Sequence, residues 1–100
     1  MSSDVWQRVY EPAGDIVKRT IAEEIILVPI RGELADLRRI YALDPVGDFI
    51  WQNLNGRRPA GEIRDRILEA FDVTREAAEE DLLEFLLSLQ EIGLVHEIEP

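Results

Sequence analysis

The chain has no cysteine and a single histidine among its 100 residues. The missing thiols exclude disulfides, thiolate metal sites and an iron–sulfur cluster ligated by this chain. No apolar run approaches the ~18–20 residues that a membrane span needs. The opening MSSDVWQRVYEPAG lacks the basic-then-apolar layout of a secretory signal. Catalytic groupings are equally scarce. His96 sits between Val95 and Glu97, where a solvent-facing strand residue is a simpler reading than a base or ligand. Ser2, Ser3 and Ser88 have no base at a useful spacing, and the six glycines form no phosphate-cradling pattern. Carboxylates such as Glu79 and Glu80 lie at helical surface positions, with no histidine or acidic loop to make a metal site. The expectation is a cytoplasmic, non-catalytic protein without cofactor, metal or membrane partner.

What is present is acid, unevenly spread. The formal net charge is −10. Residues 1–71 carry 10 basic and 12 acidic side chains, whereas residues 72–100 carry nine acids against Arg75 alone. A solvated acidic face explains such a bias, and it should repel a phosphate backbone.

The apolar fraction of 46% is enough for a single small core. Residues 1–14 mix Trp6 and Tyr10 with polar side chains and end in Pro-Ala-Gly, which reads as a loosely held N-terminal arm. The domain proper then spans 15–100. DIVKRTI (15–21) and IILVPI (25–30) are β-branched runs separated by Ala-Glu-Glu, the pattern of two strands and a turn. Pro29 suits an edge position or a strand end. The segment ELADLRRIYAL (33–43) fits two patterns: Leu34, Leu37 and Tyr41 have helical spacing, while 38–43 alternates as a strand would.

Three helices follow. Asp44 is an N-cap with Pro45 at the first helical position, and Asn55-Gly56 stops the helix. Val46, Phe49, Ile50 and Leu54 form its apolar face. A second helix runs from near Pro59 to about Phe71, with Ile63, Ile67, Leu68 and Phe71 inward. The third is capped by Thr74 and runs to about Ile92 before Gly93. Leu94-Val95 could then add to the sheet. At ~100° per residue, Ala78, Leu82, Phe85, Leu86, Leu89 and Ile92 share the core arc of the third helix. Leu83 and Leu87 fall on a separate stripe, and are either covered by other parts of the chain or wall a groove. Three short strand candidates followed by three helices suggest a winged-helix-like α+β domain. Arg57, Arg58, Arg64 and Arg66 give a basic stretch, but the acidic third helix argues against a DNA-reading role.

The run LDPVGDFIWQNLNG followed by RRPAGEI, and the later DLLEFLLSLQEIGLV, resemble in order and spacing the PqqD-like family. Its namesake is pyrroloquinoline quinone biosynthesis protein D, and its wider membership is small peptide-recognition domains. The resemblance extends from about Asp15 to Val95. It departs from the family at Asp44, where Asn is common, and in ELADL, which lengthens the loop before the third strand. It implies a three-stranded antiparallel sheet on three helices and a chaperone role toward a ribosomally made precursor peptide. The peptide's leader would add a strand beside the third helix, for delivery to a radical-SAM or other modifying enzyme. On this reading Arg38, Arg39, Ile40, Tyr41, Ala42 and Leu43 form the receiving edge strand, and Leu83 and Leu87 wall the groove. The competing readings are a winged-helix transcription regulator and an assembly module that dimerises through its spare leucines.

Overall fold

The fold is described from a computed structural model, over residues 4–14, 16–29 and 41–98. A 3-10 turn at Val5–Gln7 leads into β1 (Val9–Pro12), followed by β2 (Ile16–Ile21) and β3 (Glu24–Pro29). Strand β4 (Tyr41–Leu43) precedes helices α1 (Pro45–Asn53), α2 (Ala60–Ala70) and α3 (Arg75–Glu91), and β5 (Val95–Ile98) comes last. β2, β3 and β4 form the expected antiparallel three-stranded sheet, with β3 central. With three helices after it, the α+β architecture matches the sequence reading. Residues Arg38, Arg39 and Ile40, with the ELADL segment, lie outside the described residues. The strand alternative therefore holds for Tyr41–Leu43, the part that is described.

Side-chain alternation decides which face of the sheet is buried. Ile25 opposes Leu43 and Leu27 opposes Tyr41 across the β3–β4 ladder. Leu27 is fully buried, Leu43 nearly so, and Ile25 and Tyr41 pack against the core from partly buried positions. Pro29 is the last residue of β3, where its missing amide costs the ladder least. The β2–β3 turn is unusual in composition. Ala22 and Glu23 both take positive φ, 50° and 72°, the conformation of a two-residue primed turn that normally uses Asn-Gly.

The helices keep close to their sequence signals. The Asp44 side chain accepts from the Gly47 amide at 2.7 Å, closing the N-terminus of α1 behind Pro45. Thr74 does the same for α3 through the Ala77 amide at 3.1 Å. Beyond α1, Gly56 has φ +74°, and a Cβ there would lie 2.8 Å from Glu11 Oε1. Ile50 from α1 and its C-cap Leu54, Ile63 and Ile67 from α2, and Leu82 and Leu89 from α3 meet in one core. The aromatics of α1, Phe49 and Trp51, are packing residues. Phe49 packs edge-on against Phe71 at 5.4 Å, and Trp51 is a partly buried residue against the same core.

Helix α3 has 17 residues and ends at Glu91 with Ile92 as its cap, in line with the sequence reading. Two expectations need correcting. Val95 begins a strand, but β5 does not extend the three-stranded sheet. It pairs instead with β1 in a separate antiparallel ladder, Tyr10 opposite Glu97 and Glu11 opposite His96. The N-terminal segment is accordingly not loosely held over Val9–Pro12. Its backbone also ties to the helices: the Ala60 amide donates to the Arg8 carbonyl at 2.9 Å, and the Gly56 amide to the Tyr10 carbonyl at 3.2 Å. Tyr10 is only 3% exposed. Trp6 packs against the core, with the Arg64 guanidinium 5.2 Å from its ring centroid. These partners lie far along the chain, so local pattern did not reveal them.

The turn generates a stability test. Replacing Ala22→Asn together with Glu23→Gly relieves two non-glycine left-handed residues. It is expected to stabilise the fold by about 1 kcal/mol, read as a higher urea midpoint with unchanged slope.

Candidate functional site

β4 is hydrogen-bonded to β3 on one side, and among the described residues nothing pairs with its other edge. Such an edge presents unpaired amides and carbonyls to whatever extended chain approaches. Tyr41 and Leu43 turn their side chains toward the helices, while Ala42 between them is exposed on the opposite face. The ring of Tyr41 meets that of Phe85 on α3 edge to face, with centroids 6.1 Å apart and planes at 88°. This contact tethers the short strand to the helix.

Beside that edge lies an open groove of about 190 Å³. Tyr41, Leu43, Val46, Ile50 and Phe85 supply its apolar surface, and Asp44, Asp81 and Glu84 its carboxylates. It is smaller than the ~300–1,000 Å³ typical of small-molecule sites, a size suited to one or two side chains. Gly47 sets its depth. A Cβ there would come within 3.0 Å of Asp44 Oδ1, 3.3 Å of Phe85 Cε1 and 3.4 Å of Leu43 Cδ2, so a larger residue would push α1 away from α3.

Among the described residues, no cation compensates the charges in the groove. Asp44 spends one oxygen on its cap. Asp81 and Glu84 are exposed and make no ion pair among the described residues, and no cationic side chain lines the groove. The opposite side of α3 differs. There Glu79 is bridged by Arg64 at 3.2 Å and by Arg75 at 3.3 Å. Glu62 on α2 likewise takes Arg58 at 3.2 Å and Arg66 at 3.3 Å. The basic stretch seen in the sequence is therefore largely engaged with neighbouring carboxylates.

Of the residues expected at a site, Tyr41, Ala42 and Leu43 come together on the groove edge. Arg38, Arg39 and Ile40 lie outside the described residues. Leu83 and Leu87 are not brought to the groove. They are 38% and 61% exposed and face elsewhere on α3. At ~100° per residue, Asp81, Glu84 and Phe85 share one arc, with Leu87 about 60° and Leu83 about 100° beyond its Glu84 margin. Those three α3 residues were not singled out by sequence reasoning, which took Phe85 for core and the carboxylates for solvated surface. The available signal was their i, i+3, i+4 spacing along one margin of the core arc. None of residues 4–14 lines the groove, and Trp6 is occupied at Arg64 instead. His96 sits on β5 with its Nε2 2.8 Å from Glu11 Oε2, across the β1–β5 ladder. No helix among the described residues is long and apolar enough to cross a membrane, and no group of three or more candidate metal ligands gathers there.

Comparison with known proteins gives two matches. The solved structure of TbiB1 in complex with the TbiA(beta) leader peptide superposes with a TM-score of 0.68 at 27% identity, covering 90% of this chain and 99% of that one. No curated protein matches. The family model of coenzyme PQQ synthesis protein D (PqqD) matches residues 24–95, from the start of β3 to the first residue of β5. With that much of its 100 residues covered, the chain belongs to the PqqD family.

Proposed function

We propose that this protein is a non-catalytic, cytoplasmic adaptor that binds the leader of a ribosomally made precursor peptide by strand addition. It presents the rest of that peptide to a modifying enzyme, of the radical-SAM type in the family's namesake pathway. The observation that carries this reading is the outer edge of β4, unpaired among the described residues, lying against a side-chain-sized groove. An edge supplies main-chain hydrogen bonds that any extended segment can use, and a flanking groove supplies selection among them. The leader peptide bound in the structure of the similar TbiB1 supports the same class of ligand. Residues 38–40, immediately before Tyr41, would extend the receiving edge, and the N-terminal segment, paired through β1 with β5, would brace the recognition domain rather than bind the leader.

The test is an NMR titration of labelled protein with precursor peptides encoded beside it. Amide shifts should concentrate in 38–43, α3 and the start of α1. Shifts confined to the β1–β5 ladder would overturn the reading. Strand addition also requires alternate leader amides to point at β4. N-methylation of one alternating set should abolish binding, while methylation of the other set leaves it within a few-fold. Equal effects from both sets would exclude a strand.

A second reading, assembly through α3, draws on the exposure of Leu83 and Leu87 on a shared stripe. If that stripe joins two copies, Leu87→Glu converts a sedimenting dimer to monomer and leaves peptide affinity unchanged. A wild-type protein that sediments as a monomer at all concentrations removes this reading.

A further inference from the structure

The β4 edge would accept any extended chain, so selectivity has to come from side chains facing α3. We propose that the groove selects leader segments carrying a Lys or Arg two residues away from an apolar side chain. This rests on the strand-addition reading above and specifies the ligand for it.

The spacing follows from the pleat. Residues of an added strand that lie alongside Tyr41 and Leu43 point to the same face as those two, toward α3. The residue alongside Ala42 points away. Two leader side chains, two residues apart, therefore enter the groove together. Its volume of about 190 Å³ admits little more than that.

The chemistry follows from what the two side chains would meet. One contacts the apolar surface of Tyr41, Val46, Ile50 and Phe85. The other meets Asp81 and Glu84, which project from α3 with no ion pair among the described residues. The contrast with the far side of the helix is informative. Glu79 is bridged internally by two arginines, whereas the groove-side carboxylates have no such partner among the described residues. An acidic leader side chain there would face Asp44, Asp81 and Glu84 with no lining cation among the described residues to offset them. A Lys or Arg can lay its methylene stem along the apolar surface and hold its charged end at the rim. These carboxylates are not themselves a binding site. They discriminate among chains that the backbone edge already holds.

The experiment is selection of a random twelve-residue peptide library on three proteins: wild type, Asp81→Asn/Glu84→Gln, and Asp81→Lys/Glu84→Lys. Both side chains are exposed and, among the described residues, unpaired, and circular dichroism checks that each variant keeps its helices. The neutral pair serves as the test should the reversed pair not fold. Wild type should enrich Lys or Arg at a position two away from an apolar residue. The neutral variant should keep the apolar preference and lose the basic one. The reversed variant should enrich Asp or Glu at that place. For one selected peptide, Lys→Glu should weaken wild-type binding roughly tenfold at low salt, as expected for exchanging exposed attractive pairs for repulsive ones. That difference should shrink as salt rises past physiological strength. Identical charge preferences from all three proteins would overturn the inference and leave strand addition standing. Failure of any sequence to enrich on wild type would overturn both.

Discussion

The Asp44 carboxylate accepts a hydrogen bond from the Gly47 amide at 2.7 Å, and the sheet edge ends where that bond begins. The cap turns the chain directly from β4 into α1, leaving Leu43 buried beneath the junction. Gly47 then lets the first turn of α1 approach Phe85 closely enough that a methyl group would crowd it. Phe85 in turn holds Tyr41 by an edge-to-face contact. Edge, groove floor and groove wall therefore depend on one another. A shift at the cap would change the depth of the groove and the position of the strand together, because close-packed interiors transmit small displacements.

A domain of this size has little apolar area to spare, and the second ladder answers that constraint away from the groove. β1 and β5 join the two ends of the described chain, and the amides of Gly56 and Ala60 find carbonyl partners on Tyr10 and Arg8. The N-terminal segment thereby covers the α1–α2 connection. Since none of residues 4–14 lines the groove, the segment stabilises the fold without occupying the β4 edge.

Charge is divided in the same spatial way. The arginines of the 57–66 stretch mostly face carboxylates on α2 and α3, so a basic run in the sequence does not become a free basic surface. Exposed pairs of this kind add little stability each. Their larger effect is on the field: they cancel acid on one side of α3, while among the described residues nothing cancels it on the groove side. The chain's net charge of −10 thus acquires a direction relative to the peptide edge.

Local chemistry determined a good deal of this. Asp44-Pro45, Thr74 and the glycines after α1 and α3 mark helix ends because capping and left-handed φ depend on a few adjacent residues. The buried arc of Ala78, Leu82, Phe85, Leu86 and Leu89 was legible because helical periodicity is also local. The family could be read from the order and spacing of the same features. Tertiary structure decided the rest. The pairing of β1 with β5 joins residues as far apart as Glu11 and His96, and neither strand signals its partner. The Ala22-Glu23 turn adopts positive φ without the usual residues, since ladder formation on both sides overrides their preference. Which margin of α3 faces the groove, that of Asp81 and Glu84 or that of Leu83 and Leu87, depends on the helix's rotation against β4. Exposed polar and exposed apolar residues look alike to a periodicity argument until a neighbour is placed beside one of them.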